Sequence, residues 1–346
     1  MARPQMNSHS RPVTLTDVAN AAGVSQSTAS RVLNGSDRHV KAGLERKVLD
    51  AAARLHYTAN VQAQAVARGT TTTVALLVSD IADAYFSSMV AAVMASAEKP
   101  GLRVTIAVTG RRVEREIELV RELRGQHARA IVLAGSGYVD ANLSDALVRE
   151  LTMYEEQGGR VVLVSRKDLP FDSVDLDNFG GARRLATALS RLGYQDYHVL
   201  GGEKALVATQ DRIEGFKAGL ADRGITLSDA NITYSAFSWD GGFGAVSKLE
   251  DSVLTTRRVI FAVNDEMALG AIAGLRGRGL RVPEDIAVAG FDDIRTLRDI
   301  VPGLTTVRVP IAEVGNEVVS RIIGEAPPAL MIPATVVLRD STPRIN

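Results

Sequence analysis

The 346-residue chain contains no cysteine. Disulfides, thiol catalysis and thiolate metal sites are therefore excluded. Five histidines are scattered through it and show no ligand spacing for a metal ion. No apolar run approaches the roughly 18 residues that span a bilayer. The opening residues, MARPQMNSHSRPVT, lack the apolar core of a secretion signal, so a cytoplasmic protein with no membrane partner is expected. Sequence motifs of common enzymes are also missing: no GxSxG elbow, no Walker loop, no HExxH, no GxGxxG opening a helix. Gly241-Gly242-Phe243-Gly244 is glycine-rich but follows no strong strand, which argues against a phosphate loop. No cofactor, metal or catalytic residue is expected.

What is present is ordinary in bulk, with 46 % apolar and 23 % charged residues, and long enough for two or three domains. The net charge of zero hides an asymmetry. Residues 1–68 hold nine basic and four acidic side chains, so a head of +5 sits on a body of −5. A basic head suits a polyanionic partner, although scattered charge on a solvated surface is the plainer explanation until a motif supports it.

The segment from Thr14 to Asn34, TLTDVANAAGVSQSTASRVLN, supplies that motif. Thr14 can cap a helix, with Asp17 completing a near capping box. Leu15, Val18, Ala19 and Ala22 then share one face. Gly23 permits a tight turn and Ser25 can cap a second short helix. There Ala29, Val32 and Leu33 turn inward, leaving Gln26, Ser27, Ser30 and Arg31 outside. Such a helix-turn-helix places its second helix in the major groove of DNA. A third helix is expected with Leu44, Val48, Ala52 and Leu55 on one face, beginning poorly at Lys41-Ala42-Gly43.

From residue 73 onward, apolar strand-like runs alternate with helical patterns. The runs lie at 74–78, 104–108, 130–133, 161–164, 173–177, 198–200, 259–263, 286–290, 305–307 and 335–338. Apolar runs separated by helices imply parallel sheets covered on both faces. The expected fold class is α/β with a small all-α N-terminal domain, its core being two Rossmann-like lobes with a ligand between them. Residues 311–324 should form a helix that crosses back to the first lobe.

The run Thr14, Asp17-Val18-Ala19, Ala22-Gly23-Val24-Ser25, Ser30-Arg31-Val32-Leu33-Asn34-Gly35 resembles the headpiece of the LacI family of bacterial transcription regulators. VNDEMALGA (263–271), GLRVPEDIAVAGFDD (279–293) and PGLTTVRVP (302–310) are similar to that family's signatures in the same order. The resemblance implies a homodimer that binds double-stranded operator DNA of near-palindromic sequence, a repressor in sense, controlled by a small sugar-like effector. The implied domains are a tail at 1–12, a helix-turn-helix headpiece at 13–58 and a hinge helix at 59–72. The first lobe takes 73–172 plus 310–330, and the second takes 173–309 plus 331–346. No leucine heptads follow the last strand, so nothing there points beyond a dimer.

Site residues carried over by resemblance fall into two groups. Gln26, Ser27 and Arg31 should meet base edges, Arg31 being suited to guanine. Thr14, Ser30, Asn34, His39 and Asn60 should hold phosphates. Ser25, Thr28, Tyr57 and Ala63 complete the DNA-binding set, and Val66 should wedge a base step. Ala59 and Val66 stand where the family usually has Pro and Leu. The effector set is Tyr85, Phe86, Ser165, Arg212, Phe237, Asn264 and Asp292, with Asp293 assigned to capping. Four of them have a plainer alternative: core packing for Phe237, a surface ion pair for Arg212, a helix cap for Asn264, and a turn or cap for Asp292, whose carboxylate could also suit acid/base work. Ser165 stands where an acidic residue is common, and Val309 where Gln is common. A sugar-binding protein that no longer reads DNA and an enzyme carrying the headpiece are the competing functional classes. The Ser25–Asn34 strip and the missing catalytic constellation argue against them.

Overall fold

The computed structural model describes residues 13–34, 40–58, 71–135, 137, 141–166, 169–254, 257–326 and 331–345. The chain divides into two compact units, residues 1–71 and 72–346.

In the first unit three helices, α1 (Leu15–Ala22), α2 (Gln26–Asn34) and α3 (Ala42–Arg54), enclose a small core. Thr14 caps α1 through a full capping box: its Oγ1 accepts from the Asp17 amide at 3.3 Å, and its own amide donates to Asp17 Oδ2 at 2.8 Å. Gly23 ends the helix at φ +65°, a left-handed conformation that glycine adopts without cost. Val18, Ala19, Ala29, Val48 and Ala51 are buried together. Leu44 was expected on the packed face of α3, but it is exposed, and the buried face of the helix is formed by Val48, Ala51 and Ala52. Lys41, the residue before α3, makes no side-chain cap.

The second unit holds two parallel sheets. The first is built from β1 (Thr73–Val78), β2 (Arg103–Val108), β3 (Ala130–Ala134), β4 (Arg160–Val164), β5 (Ser173–Leu176) and β11 (Met331–Ile332), in the order β11-β5-β4-β3-β1-β2. Its strands are apolar on both faces for a visible reason. Val74, Leu76 and Val78 turn to one core cluster while Ala75 and Leu77 turn to another, and β3 and β4 alternate the same way. The second sheet has the order β7-β6-β8-β9, from β6 (Asp196–Gly201), β7 (Ile232–Tyr234), β8 (Arg258–Ala262) and β9 (Ala287–Ala289). β10 (Thr306–Arg308) and β12 (Thr335–Val337) form a separate antiparallel pair.

Strand pairing moves the expected lobe boundaries. Ser173–Leu176 pairs with β4 and Met331–Ile332 pairs with β5, so both belong to the first sheet rather than the second lobe. The helix α11 (Ile311–Ile323) returns to the first lobe and packs on α4 (Ala84–Glu98). Gly315 allows the approach, since a Cβ there would lie 2.7 Å from the Ala92 backbone, and Ser96 Oγ donates to Asn316 Oδ1 at 2.7 Å. The chain therefore passes between lobes three times: after β5, after β10 and after β11.

In the second lobe, α7 (Asn178–Arg191) and α8 (Val207–Ala221) meet backbone to backbone. A Cβ at Gly215 would sit 2.1 Å from the Phe179 carbonyl oxygen, and one at Gly219 would sit 2.2 Å from that of Arg183. The better helix propensity of alanine cannot offset a backbone collision. Gly215→Ala is expected to lower unfolding free energy by about 1–3 kcal/mol. A urea midpoint equal to that of the parent chain would refute the close crossing. Among the described residues, no helix is long and apolar enough to cross a membrane.

Candidate functional site

Two surfaces carry the chemistry expected from the sequence. In the first unit, Ser25 caps α2 by accepting the Thr28 amide at 3.2 Å, and its Oγ lies 2.9 Å from both Ser27 Oγ and Thr28 Oγ1. Gln26, Ser27 and Arg31 are exposed along one strip, with Ala29 buried on the opposite side. Arg31 makes no ion pair among the described residues. Thr14 is engaged with Asp17, Ser30 is half-buried, and Tyr57 packs against the headpiece core. Asn34 ends α2. His39, Asn60, Ala63 and Val66 lie outside the described residues.

The second surface is a cleft at the carboxyl ends of the strands, enclosing about 550 Å³ including its open mouth. Open α/β sheets bind ligands at this place because chain turns and helix N-termini converge there. Ser79 follows β1, Gly135 follows β3, Ser165 follows β4 and Asp292 lies just after β9. Tyr85 and Phe86, in the first turn of α4, stand edge to face with centroids 5.2 Å apart. Asp83 caps that helix by accepting the Tyr85 amide at 2.9 Å. Phe237 enters from the second lobe and lies against Gly202, where a Cβ would be 2.0 Å from its ring.

Arg212 and Asp292 are the electrostatic centre of the cleft. Both are buried, at 4 % and 6 % exposure, which excludes the surface ion pair considered for Arg212. Arg212 Nη2 donates to Asp292 Oδ1 at 2.8 Å, Nη1 to the Val263 carbonyl at 2.6 Å and Nε to Asn178 Oδ1 at 3.0 Å. Its guanidinium also lies 3.9 Å from the Phe291 ring centroid. Asp292 adopts φ +115°, a strained value for a non-glycine residue, and is held there by its amide bond to the Val307 carbonyl at 2.8 Å. Burial pushes its carboxyl up to about 7, against the pull of Arg212; Asp83 and Glu266 push the same way. Burial likewise raises Asp83, which faces Arg111 at 3.5 Å.

Six of the seven effector candidates line this cleft: Tyr85, Phe86, Ser165, Arg212, Phe237 and Asp292. Asn264 does not. It caps α10 (Asp265–Gly277) by accepting the Met267 amide at 2.9 Å, so its side chain is already used. Asp293 is not a cap either, because its two oxygens take Arg308 Nε and Arg339 Nη2, each at 2.6 Å. Ser79, Asp83, Arg111, Gly135, Asn178, Leu206 and Ala208 were missed. Several follow strand ends, a positional signal that was available. Arg111 and Asn178 reach the cleft through tertiary contacts that no local pattern displays. Asp265 was also missed: it is fully buried, takes Thr306 Oγ1 at 2.6 Å and the Ile294 amide at 3.0 Å, and its carboxyl is raised well above the usual range by burial.

Comparison with known proteins finds a family match in each unit. Residues 14–60 match the profile of bacterial regulatory proteins of the lacI family, and residues 186–342 match that of the periplasmic binding protein-like domain. The chain is 32 % identical to the HTH-type transcriptional regulator CelR of Thermobifida fusca over 347 residues, covering 97 % of this chain and 100 % of that protein. The chain belongs to the LacI family. It is a helix-turn-helix transcriptional regulator rather than an enzyme. Among solved LacI-family structures, the lac repressor dimer bound to operator and the anti-inducer ONPF superposes with a TM-score of 0.81 at 27 % identity. A CelR complex with cellobiose gives 0.68 at 31 % identity, and in both cases 96 % of this chain and 100 % of the other are covered.

Proposed function

We propose that this LacI-family regulator binds a near-palindromic operator as a homodimer, through the exposed strip of α2, and represses transcription. Its effector is an uncharged polyhydroxy compound of the sugar class, held between the lobes. Binding to operator DNA places it with the nucleoid in the cytoplasm.

One observation carries the effector reading: the two cations of the cleft are each matched by a carboxylate inside it, Arg212 by Asp292 at 2.8 Å and Arg111 by Asp83 at 3.5 Å. A charged ligand would have to break a buried pair or remain unmatched. Hydroxyls need only accept from and donate to groups already fixed in place, while Tyr85, Phe86 and Phe237 offer rings to an apolar sugar face. The cellobiose held by the CelR neighbour is a ligand of this kind. The lobes are tied where the Val207 amide donates to the Gly137 carbonyl at 3.0 Å, a contact that ligand-driven closure would bias. The coupling to DNA affinity is of the order of ~1–3 kcal/mol.

Native mass spectrometry of the purified protein should reveal a retained neutral ligand, and that ligand should alter the mobility shift of DNA from the regulator's own upstream region. A retained phosphorylated compound in the cleft, or a ligand without effect on the shift, would sink this reading.

The raised Asp292 carboxyl makes effector binding pH-dependent. Ionised Asp292 accepts ligand hydroxyls best, and that form dominates above about 7. Affinity measured by calorimetry is therefore expected to rise about tenfold from pH 6 to pH 8. Stability runs the other way. The folded value lies above the ordinary carboxylate value of 3.8, so the stabilising effect of a bound proton is lost as pH climbs from about 4 through about 7. A flat binding profile across this range would remove Asp292 from the ligand contacts.

A further inference from the structure

Next to the effector cleft lies a second, more open depression that shares only Tyr85 and Asp292 with it. Its chemistry is opposite. Four arginines line it: Arg295 and Arg298 on the 3-10 turn after β9, Arg308 at the end of β10, and Arg339. Two carboxylates face them, Asp293 and Glu313, because the Asp292 carboxylate is engaged by Arg212. Asp293 is fully occupied by Arg308 and Arg339. Arg295 and Arg298 are exposed and make no hydrogen bond or ion pair among the described residues. The depression thus carries a surplus of two positive charges. In a protein of zero net charge whose body is acidic, this is not the average surface.

We infer that this depression binds a phosphate monoester, distinct from the neutral effector of the cleft. Guanidinium forks match the paired oxygens of a phosphate, and a phosphate dianion balances two uncompensated arginines. The site also spans the lobes. Arg295 and Arg298 belong to the second lobe, whereas Tyr85 and Ser88 of α4 and the start of α11 belong to the first. The first turn of α11 adds no free field of its own, since the Ile311 and Glu313 amides donate to the Val309 and Pro310 carbonyls, so the arginines carry the site. An anion here draws the two lobes together beside the cleft and acts as a second input on the same closure.

The test is calorimetry on the full-length protein at fixed ionic strength, with inorganic phosphate, glycerol 3-phosphate and glycerol as probes. The two phosphate probes are expected to bind and glycerol is not. In the double variant R295A/R298A their affinity is expected to drop on the order of tenfold or more. Operator binding by that variant, in the absence of phosphate, reports that it is folded. Tighter binding of glycerol 3-phosphate identifies an esterified ligand, and tighter binding of inorganic phosphate identifies the free ion; both retain the site. Equal phosphate affinity in the parent and a folded double variant, absence of phosphate binding in the parent, or equal binding of glycerol overturns the inference.

Discussion

Replacing Asp292 with alanine is expected to abolish effector response and to lower unfolding free energy by about 3–5 kcal/mol. The reason is the geometry of its partner. Arg212 is 4 % exposed, and without Asp292 its guanidinium keeps the Asn178 and Val263 hydrogen bonds and the Phe291 ring but loses its bonded carboxylate. Burial has already raised the Asp292 carboxyl to about 7, so the pair is below full strength at neutrality and the lower end of that range is expected. Asp292→Asn separates the two roles. Its amide oxygen can still accept from Arg212 Nη2, so it should retain more stability while losing effector affinity. Urea unfolding, effector calorimetry and operator titration on both variants provide the comparison. An Asp292→Ala protein as stable as the parent would mean that Arg212 needs no counter-charge. Normal effector response in both variants would move the ligand elsewhere.

Operator affinity is expected to fall about 10³- to 10⁵-fold between 50 and 200 mM salt, as for roughly six to ten phosphate contacts. The +5 head provides the charge, and two copies of it face one operator in the proposed dimer. Phosphate contacts release counterions, so log affinity should be linear in log salt. Arg31→Ala should behave differently from loss of a phosphate-binding residue. It removes an exposed guanidinium on the outer face of α2, costing about 1–3 kcal/mol and relaxing preference at one base pair. Binding by the variant to a panel of operators altered one base at a time measures this. Unchanged affinity and unchanged base preference together would reassign the recognition surface.

The fold was legible where local chemistry and burial agree. Thr14, Asp17, Gly23 and Ser25 signal their turns through caps, and the structure forms those caps. Apolar runs such as 74–78 and 161–164 become central strands buried on both faces. Edge strands were harder. Ile232–Tyr234 is only partly buried and Met331–Ile332 is two residues long, so neither has enough apolar residues to announce itself. Misplacing the second of these also misplaced a lobe boundary. The lining of the candidate cleft was partly legible, since Tyr85, Phe86, Ser165, Arg212, Phe237 and Asp292 stand in it, and they were picked out largely by family resemblance. Asn264 is absent from that lining because a polar residue between strand and helix serves equally well as a cap, and here the Met267 amide claims it. Arg111 and Asn178 were invisible because their roles depend on what other segments bring to them.

The threefold passage of the chain between lobes also dictates the order in which the protein can be made. The first sheet begins at Thr73, yet its outer strand comes from Met331–Ile332 and the helix covering α4 from Ile311–Ile323. During synthesis, five strands of that sheet emerge long before the pieces that close it. The second sheet, by contrast, takes all four strands from one continuous stretch, 196–289. The lobe that starts first therefore finishes last, and a ribosome stalled before residue 311 holds a half-covered sheet beside a nearly complete one.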